Sequence, residues 1–239
     1  MQKLINSIWL LSILLLTFKC SNNTEPVVKK PDAFMTLNIG DVRQYYDEKK
    51  LYIQVRVIDT LKRTDGKKVF ALEESLLLDD GIYKGINYYF IENGYFKQTY
   101  LDTVKTQDKN SENPFNEQKL AQVFPENGNS FLRNLGAPDS AKIYFHIKLL
   151  DTLKTKYNTF QNVAEYTRIS NSSNTQGTFY YASGYGHIGS LFTSGKDTAR
   201  VFVTYLKVNG REIGKYNEVF KKSLKKIKII NKSIFRGIL

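Results

Sequence analysis

The chain has 239 residues, 35 Lys and Arg against 23 Asp and Glu, a net charge of +12, and 41% hydrophobic with 13% aromatic residues. That length allows one sizeable core, and the composition excludes both wholesale disorder and a collagen-like fibre. A multi-pass helical membrane protein is excluded as well, because only one apolar stretch, near the N-terminus, is uninterrupted by charge.

That stretch, Ile8 to Phe18, follows Lys3 and stops at Lys19-Cys20. It is shorter than the roughly 20 residues a spanning helix needs and has the form of a secretory h-region behind a basic n-region. The single cysteine, Cys20, stands directly after it and cannot make an internal disulfide. The arrangement resembles a bacterial lipoprotein signal, in which the first mature thiol takes a diacylglycerol. Thr17-Phe18-Lys19 departs from the small residues usual before such a cysteine. An ordinary signal peptide with an incidental thiol, or a short uncleaved anchor, stays open beside it. The expected layout is a signal peptide over 1–19, a polar tether over 20–33, a β domain over 34–214 and a basic tail over 215–239.

From Asp41 to Val208 the apolar pattern has period two. Ile53, Val55 and Val57 alternate with Gln54 and Arg56, Ile143, Phe145 and Ile147 with Tyr144 and His146, and Val201 and Val203 with Phe202 and Thr204. Such alternation predicts half-buried antiparallel strands. Asp65-Gly66, Asp80-Gly81, Asn93-Gly94 and Asn209-Gly210 supply residues suited to tight hairpin turns. All five prolines lie outside the predicted strands, as expected for a residue that cannot donate to a ladder.

Residues 51–101 and 143–193, related by a shift of 92, share ten identities without a gap, including Tyr52/Tyr144, Asp59/Asp151, Gly85/Gly177, Tyr88/Tyr180 and Tyr89/Tyr181. The expectation is a tandem duplication of a four-strand unit, so that the all-β, mainly antiparallel domain forms a curved sheet, half-barrel or sandwich. Two arrays of Tyr- and Thr-rich hairpins sliding into partial register is the alternative. Between the copies, residues 102–140 are polar and contain three prolines, with a possible short helix over Glu117–Val123.

Three segments carry a family likeness: Leu37-Asn38-Ile39-Gly40-Asp41-Val42-Arg43-Gln44-Tyr45-Tyr46, Phe179-Tyr180-Tyr181-Ala182-Ser183-Gly184-Tyr185-Gly186-His187-Ile188, and Thr204-Tyr205-Leu206-Lys207-Val208-Asn209-Gly210. Together they resemble the TapB family of exported, β-rich proteins of Bacteroidota-type bacteria, many of them lipoproteins. The resemblance implies an exported β protein and assigns no activity or catalytic residue.

Residues 20–220 carry a net charge of only +3, so the high isoelectric point is not a nucleic-acid footprint. The rest sits in the signal and in the tail, where Lys221, Lys222, Lys225, Lys226, Lys228, Lys232 and Arg236 interleave with Phe220, Leu224, Ile227, Ile230, Ile234 and Ile238. Either a basic amphipathic helix suited to anionic lipid or a last strand around Lys226–Ile230 fits that spacing.

Little chemistry is announced. Ser183 lies near His187 but lacks the Gly-x-Ser-x-Gly elbow, since Tyr181 precedes it by two. Neither His146 nor His187 has a partner at metal-ligand spacing. No catalytic residue, metal or cofactor is therefore expected. Tyr52, Tyr88, Tyr89, Tyr144, Tyr180 and Tyr181 fall on predicted strands and are the candidate ligand-binding residues, because tyrosine couples apolar area to a polar tip. The leading expectation is a non-enzymatic lipoprotein of the envelope, in the outer membrane through lipidated Cys20, binding a hydrophobic ligand or an envelope protein. Two alternatives stand beside it: an envelope hydrolase with a site near Ser183, His187 and the 102–140 connection, and a purely structural envelope component.

Overall fold

The structure, a computed structural model, describes residues 32–47, 51–102, 113–134, 142–170, 175–222 and 227–229. Cys20, the signal segment and most of the basic tail lie outside them. The described chain is nearly all antiparallel β. Six strands form a first meander: β1 (Val42–Asp47), β2 (Tyr52–Lys62), β3 (Lys68–Leu78), β4 (Gly81–Glu92), β5 (Tyr95–Thr99) and β6 (Gln118–Gln122). Six more form a second: β7 (Ser130–Leu132), β8 (Ile143–Lys154), β9 (Thr159–Ser170), β10 (Thr175–Ala182), β11 (Gly186–Ser194) and β12 (Asp197–Val208).

The meanders join where β1 pairs antiparallel with β12. Their far ends meet as well. Gln118 of β6 bridges Asn134 just past β7, and the Lys119 N–H donates to the Arg133 carbonyl at 2.9 Å. The result is a nearly closed, twelve-strand barrel, with β13 (Arg211–Gly214) extending β12 and β14 (Ile227–Ile229) lying parallel to the start of β4. β2, β3, β4 and β5 begin at residues 52, 68, 81 and 95, while β8, β9, β10 and β11 begin at 143, 159, 175 and 186. Corresponding strands of the two meanders thus begin 91 to 94 residues apart.

Alternation sends one residue of each pair inward. Ile53, Val55 and Val57 on β2 meet Leu76, Glu74 and Leu72 on β3, and Phe145 and Ile147 on β8 meet Arg168 and Tyr166 on β9. The inward aromatic rings pack on one another: Phe131, Phe145, Tyr166, Phe179 and Tyr181 form a chain of tilted and edge-on pairs with centroids 5.1 to 6.4 Å apart. At one end of the barrel the segment Asp32–Leu37 crosses from β6 to the β10–β11 turn. The Phe34 N–H donates to the Val123 carbonyl at 2.8 Å and the Gly184 N–H to the Ala33 carbonyl at 2.9 Å, while Phe34, Met35 and Leu37 are buried.

The turns follow the sequence. Asn93 and Gly94 (φ 50° and 75°) and Asn209 and Gly210 (φ 53° and 72°) hold the paired positive φ of a tight hairpin. The helix expected over Glu117–Val123 is not there. Those residues include β6, because the edge of β5 needs a partner and Leu120 and Ala121 find burial in the sheet. The 102–140 connection is thus a contributor of two strands rather than an excursion. Of the tail, Val219–Lys222 form a single helical turn, α1, and β14 matches the strand alternative around Lys226–Ile230. The sheet therefore extends beyond the expected limit of 214.

Outside the barrel, Arg63 anchors the chain around Glu117. Its guanidinium bonds Asp65 (2.5 Å) and Glu117 (2.7 Å) and lies 3.9 Å from the Phe115 ring centroid. Lys67 and Lys97 complete the network through Glu92 and Glu117. The pairings hold Glu117 and Glu92 below the usual carboxylate range.

Gly189 lies where β10, β11 and β12 press together. A Cβ there would stand 2.3 Å from the Phe202 ring and 2.8 Å from the Val201 carbonyl oxygen, a backbone atom that cannot swing away. Gly189→Ala is expected to destabilise the protein by about 1–3 kcal/mol, read as a lowered midpoint in urea unfolding; an unchanged midpoint would show that this approach is looser than described.

Candidate functional site

Gln54, Ser75 and Lys84 are cross-strand neighbours on the outward face of β2, β3 and β4. A strap of chain after β13 crosses this row. The side-chain amide of Gln44 grips its backbone from both sides: the Asn217 N–H donates to Gln44 Oε1 at 2.8 Å, and Gln44 Nε2 donates to the Asn217 carbonyl at 3.0 Å. The Tyr216 hydroxyl donates to Gln54 Oε1 at 2.9 Å, and its ring meets Tyr205 edge-on at 5.1 Å. Glutamines on a nominally solvent-facing strand surface are thereby buried.

Between strap and sheet lies a pocket of about 440 Å³, within the size range of small-molecule sites. Val42, Ile82, Tyr205, Tyr216 and Phe220 give it apolar walls, and Gln54, Arg56, Ser75, Lys84 and Glu218 give it polar groups. Ser75 is wholly buried and its hydroxyl has no hydrogen-bond partner. Leaving such a group unmet costs about 1–3 kcal/mol, which a ligand's donor or acceptor would recover. Lys84 Nζ lies 3.2 Å from Glu73 Oε2, so it enters the pocket already paired.

The six sequence-predicted tyrosines do not share one surface. Tyr89 and Tyr181 lie inside the barrel: Tyr89 stacks on Phe96 at 5.2 Å, and Tyr181 packs edge-on against Tyr166 and His187. Tyr52 rests against Tyr46 at 4.5 Å. Tyr88 on β4 and Tyr180 on β10 face outward in different meanders, Tyr180 against Phe202, with its hydroxyl pushed up to about 12 by burial and by Glu165. Tyr144 is exposed on β8.

Ser183 and His187 do not form a pair. The Ser183 hydroxyl donates to the Asp32 carbonyl at 2.6 Å. His187 is buried, with Nδ1 3.1 Å from the Tyr45 hydroxyl and Nε2 2.9 Å from Ser190 Oγ. Desolvation, with the nearby Arg43 guanidinium, lowers it to about 3, far below what a base working near neutrality needs. Ser183 ties the β10–β11 turn to the segment that begins at Asp32, and His187 is a hydrogen-bonded part of the barrel interior. His146 is exposed on β8, with Nδ1 3.1 Å from Ser130 Oγ.

Sequence reasoning missed the pocket residues. Gln54, Arg56, Ser75 and Lys84 read as ordinary outward strand positions, and nothing in the spacing of Tyr216 to Phe220 says that the strap returns over them. Glu73 and Glu74, adjacent on β3, face opposite ways, and Glu74 takes the inward side opposite Val55. Glu74 is fully buried and accepts a 3.0 Å hydrogen bond at Oε1 from the Tyr89 hydroxyl. Desolvation raises it to about 7, with Asn87 and Tyr89 acting the other way.

Neither a scan of protein family models nor a search of curated proteins gives a match. The likeness to the TapB family rests on the three segments alone. Among solved structures, a protein from Parabacteroides distasonis classed as a lipoprotein is 15% identical, with a TM-score of 0.42 over 75% of this chain and 100% of that one. An exported protein with a YmcC-like fold from Bacteroides fragilis is 13% identical, with a TM-score of 0.41 over 74% and 99% of the two chains.

Glu74 gives stability a pH dependence. Its carboxyl titrates near 7 when folded against about 4.5 when unfolded, so between those values the folded protein holds a proton that the unfolded chain releases. Its contribution is fully present below pH 4.5 and is lost as pH rises through 7, about 3 kcal/mol in all. Glu74→Gln is expected to remove that decline, giving a variant more stable than the parent at pH 8. Denaturant curves from pH 5 to 8 that fall equally for both proteins would refute it.

Proposed function

We propose that the protein is a non-enzymatic binding protein of the cell envelope, exported by its N-terminal signal and held in the outer membrane through a lipid on Cys20. The pocket under the 216–220 strap takes a small ligand with an apolar face and hydrogen-bonding groups. The observation that carries the ligand site is the buried, unpartnered Ser75 hydroxyl in the wall of that pocket. The walls formed by Tyr205, Tyr216 and Phe220 support a largely hydrophobic ligand, while the unmet Ser75 hydroxyl calls for a polar group on it as well. The basic tail offers anionic lipid a second, electrostatic contact. The two meanders are copies of one ancestral unit, a reading supported by the ten identities and the matching strand starts.

Two experiments test this reading. Cys20→Ala is expected to release the exported protein from the membrane fraction, because a diacylglycerol and an amide-linked acyl chain supply the two apolar signals that stable anchoring needs. Labelled palmitate that fails to incorporate into the parent protein would refute lipid attachment.

For the pocket, 1-anilinonaphthalene-8-sulfonate serves as the probe, its rings matching the apolar wall and its sulfonate the cations. Saturable fluorescence enhancement is expected with the parent. Ser75→Leu, which fills the pocket floor, is expected to weaken it about tenfold, and the exposed variant Tyr144→Ala to leave it unchanged. Equal binding by the parent and Ser75→Leu would remove the pocket from consideration.

A further inference from the structure

Among the described residues, three arginines inside the barrel lack a carboxylate partner: Arg43, which donates to the Tyr185 carbonyl instead, and Arg133 and Arg168, for which no such acceptor stands in. Phe131 pairs with Phe145, and Phe145 with Arg168, so the arginine continues a rung that two phenylalanines begin. Arg133, two residues beyond Phe131, projects to the same side, and its guanidinium lies 5.9 Å from the Phe145 ring centroid. Arg133 is only 5% exposed, whereas Arg168 is partly exposed. Both stand toward the end of the barrel opposite the one crossed by Asp32–Leu37, since Arg168 pairs with Gly177 at the start of β10 and Gly184 follows its end.

Among the described residues no carboxylate lies within 4 Å of either guanidinium, and the Nε of each is buried without a hydrogen-bond partner. Desolvation, joined by repulsion from Arg168, lowers Arg133 from its usual value. The phenols that face them do not supply a negative charge, because burial holds Tyr181 and Tyr89 well above their ordinary range. The buried carboxyl of the interior, Glu74, is not paired with either of them: its Oε1 accepts from the Tyr89 hydroxyl.

On Arg133 and Arg168 the unmet groups are donors alone. A buried, unpaired cation costs several kcal/mol, and a set of donors without acceptors is met by a species made of acceptors.

We propose that Arg133 and Arg168 form an oxyanion site inside the barrel, taking the carboxylate or phosphate group of a small ligand that enters past Arg168. The planar guanidinium forks suit two-point hydrogen bonding to either group, and the Phe131 and Phe145 rings beside them suit an apolar remainder. This site is separate from the pocket under the strap, so either can fail without the other.

The experiment is thermal unfolding of the purified protein in sodium phosphate and in sodium acetate, titrated against sodium chloride at constant ionic strength. The parent is expected to show a saturable rise in unfolding temperature in at least one of the two oxyanions, and the comparison tells which group is preferred. Arg168→Gln, partly exposed and so tolerable to the fold, is expected to weaken that effect about tenfold or more, the loss of one charge-assisted fork. Arg200→Gln on the outer face of β12 and Ser75→Leu are expected to retain it. A parallel 31P titration of the parent reads phosphate binding without any variant. No saturable effect of either oxyanion on the parent, or equal effects on the parent and Arg168→Gln, would overturn the proposal.

Discussion

Closing an antiparallel sheet on itself satisfies every internal strand and removes the free edges through which sheets aggregate. It also commits every second residue to one shared interior. Here closure depends on a small contact: the Gln118–Asn134 bridge and the hydrogen bond from Lys119 to Arg133, between the far ends of the two meanders. The Arg63–Glu117 network outside and the Tyr166 hydroxyl inside both act on that seam. The Gln122 N–H donates to the Tyr166 oxygen at 3.1 Å, so a ring from the second meander holds an edge strand of the first.

The interior produced in this way is aromatic but not dry in character. Tyr45, Glu74, Asn87, Arg133, His187 and Ser190 are all buried. Where such groups meet, as His187 does with Tyr45 and Ser190, they fix the stagger of neighbouring strands and hold a neutral imidazole at the β11 bulge. Where they do not meet, around Arg133 and Arg168, the described residues leave an unresolved demand for acceptors. The two conditions separate a polar group that belongs to the fold from one that suggests a ligand.

The fold was largely legible because strands half-exposed to water write their faces into the sequence. Val55 and Glu74, or Phe145 and Arg168, sit at the inward phase that simple alternation assigns, and Asn-Gly pairs mark the hairpins that keep the phase. What alternation cannot express is which outward residues are later covered. Gln44 and Gln54 have the polarity of surface positions and are buried only because the 216–220 strap returns across them. β6 was hidden for a related reason: flanked by polar residues and prolines, it has too few alternating positions to show a period, and it becomes a strand through pairing with β5.

The near-repeat between the meanders shows what makes one face a site. At a shift of 92 the pocket residues Gln54 and Ser75 correspond to His146 and Thr167, and the interior pair Glu74 and Asn87 to Tyr166 and Phe179. On the second meander His146 is exposed, since the strap covers only the first. Inside, the exchange runs the other way: the second meander contributes rings where the first contributes a carboxyl and an amide. Each of the two candidate sites thus arises where one meander differs from the other: one where a covering segment is laid on a polar row of the first, the other where Arg133 and Arg168 of the second stand without a carboxylate partner among the described residues.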